Sequence, residues 1–326
     1  MPSPSTSLAT LRPDLAASFQ QFDIEANLRG MIAGQALPVI EVMVASGKFG
    51  KIPISQLLQN RETSRAPGAG YSRGKFTFTD DSFSCDEHGA EEPVDDREAK
   101  LYANYFDAEL VAAQRALSAV LVNMEKRVAD LLFNATTWTG AALTTAIVNE
   151  WDDFTNATPI DDVEAAVKKV YDGSGLWPNA LIINRKVFRN LRQCTQVINR
   201  IASSGAGSAT KAADITPALL AQVFDLPKIL VAGGSRNSAS EGAAATPAQI
   251  WSGEYAMVAR VAETNDIREP CVGRIFHWGE DGSSIGGTVE TYRCEEIRSD
   301  VVRCRNDVDE KVMFVEAAHL LSNVTT

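Results

Sequence analysis

No apolar run in this sequence approaches the ~20 residues that a membrane-spanning helix needs. Its opening, MPSPSTSLATLRPDLAASF, has no basic stretch leading into an apolar one, so a secretion signal is not expected and the chain is read as cytosolic. Cysteine is scarce: there are five, an odd number, never spaced as CxxC, which argues against a disulfide framework or a zinc site and leaves buried thiols. Histidine is scarcer still, with His88, His277 and His319 far apart and none at ligand spacing to another His or Cys, so no metal is expected. Positive charge is the minority sign, 31 Lys and Arg against 42 Asp and Glu, for a net charge of −11. A surface built mainly to grip phosphate backbones needs clustered Lys and Arg, so gripping nucleic acid is not the expected task, although surrounding it remains compatible.

What is present is an ordinary globular share of apolar residues, 45%, in a chain of 326 residues, enough for two domains or one body with a large insertion. The first residues are rich in Pro, Ser and Thr and read as an arm. LPVIEVMVASGKFGKIPISQLL, from Leu37, is broken by Pro38, Gly47, Gly50 and Pro53, as in a bent ribbon. Residues 61–95 are loop-like and charged, with a two-residue alternation only around Phe76 and Phe78. An isolated hairpin is marginal in water, so such a ribbon needs a second surface to lie on. Between Asp95 and Asn134, Leu101, Tyr105, Leu110, Leu117, Leu121, Met124, Val128 and Leu131 recur at helical spacing with no Gly or Pro, which predicts one long helix. A second helix is punctuated by Thr158, Pro159, Asp161 and Asp162 at its start and Gly173 at its end. Ala180–Ile183 reads as a strand and Asn184 as a helix cap; Thr216 and Pro217 open another helix, and 228–234 is a short strand. The loop after Gly234 precedes strands at 250–260, 273–278, 289–294, 301–304 and 311–317. The sum is α+β.

Candidate chemistry is thin. Gly282-Ser283-Ser284-Ile285-Gly286 matches the spacing G-x-S-x-G, and Asp300 and His319 follow it. A nucleophile elbow, however, stands between a strand and a helix, whereas this motif lies in a Gly-rich turn between two strands. A cytosolic serine hydrolase using Ser284 is therefore the alternative of another class. Val231–Gly234 lacks the remaining glycines of a dinucleotide fingerprint, and Gly205 and Gly207 lack the Lys-Ser/Thr of a phosphate-binding loop. The acidic run from Cys85 to Glu92 lacks the register of a calcium loop and reads as a solvated loop. LWPNALIINRKVFRNL places a strand before a helix N-terminus, but Arg185, Lys186 and Val187 stand where a phosphate cradle needs glycine. No catalytic, cofactor or metal residue is assigned, and the chain is expected not to be an enzyme.

One ordered set of motifs has a family likeness. Trp151 precedes the Pro159-Ile160-x-Asp162 helix. Pro178-Asn179 leads into the strand at 180–183, and Phe188 and Leu191 mark the next helix. Thr216 heads a helix bearing Leu220, Ala221 and Phe224, followed by the strand Ile229–Val231 and Ile250-Trp251. This order resembles the major capsid proteins of tailed bacteriophages, with the Hong Kong 97-type fold, over about residues 95–326. The resemblance implies an N-terminal arm (1–44), an extended loop lying over the adjacent subunit (45–95), and a peripheral domain (96–175) with a spine helix (96–134). It further implies an axial domain (176–285) and C-terminal strands (286–326) returning to both. It implies self-assembly into hexamers and pentamers of an icosahedral virion head enclosing double-stranded DNA, with no membrane and no cofactor. A separate scaffold protein, a portal and decoration proteins are the further partners it implies. An encapsulin-like nanocompartment shell is the alternative on the same fold.

Overall fold

The computed structural model describes residues 10–11, 30–51, 53, 56, 58–75, 77, 79–102, 107–203, 215–240, 242–244 and 246–326. Most of the expected arm thus lies outside the described residues, which include from it β1 (Thr10–Leu11), the short helix α1 (Ala33–Ala36) and β2 (Val39–Val42). Next in the chain are β3 (Ser46–Lys51), β4 (Thr79–Ser84), β5 (Asp86–Asp95), α2 (Asp96–Tyr102) and α3 (Ala108–Leu132). They lead to β6 (Thr144–Ala146), α4 (Pro159–Ser174), β7 (Ala180–Asn184), α5 (Arg185–Leu191), α6 (Thr195–Ser203), α7 (Pro217–Phe224) and β8 (Lys228–Ala232). The remainder is almost all strand: β9 (Ser235–Asn237), β10 (Pro247–Gln249), β11 (Ala256–Ala259), β12 (Gly273–Trp278), β13 (Thr288–Cys294), β14 (Ser299–Val312) and β15 (Ala318–Ser322).

Two sheets organise these elements. One has six strands in the order β1-β13-β14-β12-β2, with β5 also paired to β14; the other has five, β6-β15-β11-β7-β8. In the second, β7 and β8 are parallel and β11 runs antiparallel between β7 and β15. Every side chain of β7 is buried, as a strand covered on both faces requires. Its Leu181 and Ile183 pack with Val163, Ala166, Val167 and Val170 of α4, Val187 and Leu191 of α5, and Leu220 and Phe224 of α7. The boundary expected at 175/176 therefore cuts through one core, because the apolar stripe of α4 finds its partner on β7.

α3 connects the sheets. Its 25 residues span about 37 Å at 1.5 Å per residue. Ala113, Ala116, Leu117 and Val120 cover Val94, Val289 and Val302 of the six-stranded sheet. About two turns further on, Val128, Ala129 and Leu132 join Ile182, Trp251 and Met257 beside the other sheet. Where sequence periodicity predicts one helix over 96–134, the structure has two. Asp107 adopts an extended backbone, and its carboxylate accepts from the N–H groups of Glu109 (3.0 Å) and Leu110 (3.3 Å), so α3 starts afresh after it. A short acidic side chain that bonds its own backbone competes with helix continuation, and apolar spacing does not register that competition.

Several local expectations meet the structure closely. Asn184 caps α5 by accepting from Lys186 and Val187, and Thr216 caps α7 with Pro217 in its first turn. α4 begins at Pro159 as expected but runs through Gly173 to Ser174, because the left-handed stop is Gly175 (φ 70°). The strand expected at 301–304 runs on through Asn306 and Asp307 to Val312 as β14, because β5, β13 and β12 pair along it, while of the strand expected at 311–317 only the first two residues belong to β14 and Val315–Ala317 form a 3-10 turn. The acidic run Asp86–Glu92, expected as a loop, is in β5. Its backbone pairs with Val302–Val308 of β14, and two of its carboxylates face cations: Glu91 lies 3.9 Å from Arg303 and Glu92 3.3 Å from Arg115.

Candidate assembly interface

β3 and β4 form a two-stranded antiparallel ribbon, Ser46 opposite Ser84 and Lys51 opposite Thr79, that joins neither large sheet. Alternate residues of β3 are exposed along its whole length. Side-chain contacts hold one face of it to the body, from Phe83 near its root to Lys51 at its far end, where the ammonium lies 4.5 Å from the Phe314 ring centroid. Phe83 stacks on Phe276 of β12 with ring centroids 4.8 Å apart, and Phe49 lies 5.8 Å from the same ring. Cys271 and Met313 complete this small core. Polar ties surround it: the Ser84 N–H donates to Asp309 (3.0 Å), and the Lys311 ammonium stands 2.6 Å from Asp81. Burial opposes ionisation of Asp81, yet its bonds to Lys311 and the Ser82 N–H hold the carboxyl below its ordinary range. Asp309 goes the other way, burial pushing its carboxyl up.

A second tie fastens the strand that feeds the ribbon. His277 of β12 is buried; its Nδ1 lies 2.7 Å from Oε2 of Glu41 in β2, and its Nε2 lies 3.3 Å from Oγ of Ser283. Ser283 donates its hydroxyl proton to the carbonyl oxygen of Trp278 (2.7 Å). The chain Glu41–His277–Ser283–Trp278 thus crosses from β2 to the turn after β12. It resembles a nucleophile relay only in outline: the Ser283 hydroxyl is buried and its proton is already committed to a carbonyl.

The residues singled out by G-x-S-x-G do not come together. The motif lies in a turn between β12 and β13, with Gly282 and Gly287 at positive φ. Asp300 is in β14, within 3.4 Å of Arg293. His319 is in the other sheet, where Nδ1 bonds the Ala142 carbonyl (2.9 Å) and Nε2 the Thr145 hydroxyl (2.9 Å). Asp300 and His319 are thus held by other partners, and the Ser284, Asp300, His319 set does not assemble into a triad. Among the described residues no group of three or more His, Cys, Asp or Glu could hold a metal, and no helix is long and apolar enough to cross a membrane. Cys194 and Cys304 are buried thiols pushed up to about 12 by desolvation, which keeps them protonated. Cys85, half-buried, is pushed up to about 11 by burial and the nearby carboxylates.

Exposed apolar side chains are the site's other ingredient, and sequence reasoning named none of them. Met43 (85% exposed) and Val44 stand beside the ribbon root, and Leu58 and Tyr71 belong to the segment beyond it. Tyr171 and Trp177 are stacked on each other, 4.4 Å between ring centroids, and both remain exposed.

Two sheets bridged by a long helix, with a separate two-stranded ribbon, have the Hong Kong 97-type fold of phage capsid structures. The comparisons agree. The chain is 26% identical over 297 residues to the major capsid protein of Burkholderia phage BcepMu, spanning 89% of this chain and 91% of that one. The crystal structure of a phage-related protein from Bordetella bronchiseptica RB50 superposes with a TM-score of 0.69 at 20% identity, covering 97% of this chain and 98% of the other. The capsid structure of Cyanophage P-SCSP1u gives a TM-score of 0.56 at 13% identity, over 87% and 85%. No protein-family model matches. The chain is similar along most of its length to proteins named phage major capsid proteins.

Proposed function

We propose that this subunit closes hexamers and pentamers of a phage head around double-stranded DNA, and that assembly is its activity in place of catalysis. The single observation that carries the reading is the ribbon of β3 and β4, a separate two-stranded sheet with alternate residues of β3 exposed and with exposed Met43, Val44, Leu58 and Tyr71 at its two ends. A two-stranded ribbon gains stability when a second surface covers it, and in a closed shell the neighbouring subunit supplies that surface. In this reading the extended loop is residues 45–85, since 86–95 are bound into the six-stranded sheet, and that sheet with α3 makes the peripheral domain. The five-stranded sheet with α4 to α7 makes the axial domain around the capsomer axis. The curated relatives are phage proteins, which favours an enclosed genome over the enzyme cargo of a nanocompartment.

The test is the size of the purified particle. Light scattering and negative-stain microscopy are expected to show closed shells or capsomers. A monodisperse monomer at every salt and protein concentration overturns the reading.

A further inference from the structure

The carboxyl ends of β7 and β8 open into a cavity of about 500 Å³. Arg185, Lys186 and Arg189 of α5 line it together with Asn190 and the Gly233–Gly234 backbone, and no carboxylate does. This is unusual for a chain in which Asp and Glu outnumber Lys and Arg by 42 to 31. Several arginines elsewhere in the fold are matched: Arg127 with Glu310, Arg293 with Asp96, Arg303 and Arg305 with Glu290. Arg185 and Arg189 are exposed and have no acidic partner among the described residues. Lys186 donates to the Thr326 carbonyl oxygen. The wall also holds an unmet donor, since the Asn190 amide nitrogen is buried without a partner.

The charge comes from side chains and not from the start of α5. Asn184 already accepts from the Lys186 and Val187 N–H groups, so the helix itself has little to offer an anion. Guanidinium groups present planar pairs of donors that match the oxygens of phosphate, and a cavity of this volume is in the range that admits a phosphodiester. We propose that this cavity binds a phosphate group, and that in the assembled shell the phosphate belongs to the backbone of the enclosed nucleic acid. The second half rests on the shell reading; the first does not. An acidic molecule built on this plan repels DNA over most of its surface and holds it at one place per subunit, a weak contact multiplied by the number of copies.

The full-length chain is titrated into a fluorescently labelled DNA duplex, and anisotropy is followed as salt is raised. Arg185→Ala/Arg189→Ala is expected to bind the duplex about tenfold more weakly at low salt and to flatten the salt dependence, because two counterion-releasing contacts are lost. Arg185→Lys/Arg189→Lys is expected to retain much of the binding. Both pairs are exposed, and thermal melts of the variants check that the fold is intact. Unchanged affinity and salt slope in the alanine variant overturn the proposal. Inorganic phosphate bound by calorimetry with no duplex binding keeps the site but overturns its assignment to the genome. A variant altered only in self-association, with DNA binding intact, overturns it in favour of an acidic surface on a second copy. Particle size measured on the same samples separates failure of this site from failure of the shell reading.

Discussion

Glu125 concentrates more of the fold in one side chain than any other residue of α3. It is buried, its Oε1 accepts from the Ile32 N–H (2.9 Å) and from Nε1 of Trp251 (2.6 Å), and its Oε2 accepts from the Ala33 N–H (2.8 Å). It thereby fastens the start of α1 and the strand region before β11 to the helix that bridges both sheets. Glu125→Ala leaves three buried N–H groups without an acceptor, and we expect urea unfolding to show a loss of at least about 2 kcal/mol, since each such group costs about 1–3 kcal/mol. Burial pushes the Glu125 carboxyl up against the pull of its three donors. With the folded pKa above the unfolded one, the folded state binds more protons, so this group's contribution to stability falls as pH rises from the ordinary glutamate range through the raised value. Glu125→Gln cannot ionise. The stability difference between wild type and that variant should shift in the variant's favour across this window, and a difference that is flat with pH contradicts the assignment.

Among the elements, the passage from β7 to α5 shows how one residue can serve two masters. The Asn184 oxygen caps α5, while its amide nitrogen donates to the Trp251 carbonyl (2.8 Å) and to Gln249 (2.5 Å). Losing a cap costs about 1 kcal/mol, and losing the amide's further bonds at a buried site adds a similar amount. Asn184→Ala should therefore lower unfolding free energy by about 2 kcal/mol, whereas Asn184→Asp keeps the cap but loses the donor and should fall between. Local signals of this kind were legible. Pro and Asn before an apolar run, Thr-Pro before a helix and a Gly-rich turn between β-branched runs all act within a few residues, and they placed β7, α5, α4, α7, β12 and the 282–287 turn. Asp86–Glu92 was misread for the opposite reason. Its charges announce solvent, and only the arginines and backbone of β14, more than two hundred residues away, make a strand of it.

At the scale of the molecule, the ribbon is the part whose stability the single chain supplies least. Its root carries the Phe49, Phe83 and Phe276 cluster and the Glu41–His277–Ser283 tie, so removal of residues 61–75 leaves that anchorage in place. The shortened protein should fold with near-wild-type melting behaviour and fail to close shells. Normal particles from it, seen by microscopy, would refute the bridging role of the segment beyond the ribbon.

Sequence by itself determined the α+β class, most caps and turns and the long apolar stripe of α3, because each of these follows from residues within one element. Its ordered motifs also pointed to the capsid fold. Tertiary structure decided what depends on partners distant in sequence. It set the break at Asp107, the continuation of β14 along its neighbours, the meeting of Glu41 with His277 across 236 positions, and the three donors around Glu125. It also changed the meaning of Arg185, Lys186 and Arg189. In sequence they spoke against a phosphate cradle by filling the place of glycines; in the fold the same bulk and charge line an open cavity that carboxylates avoid.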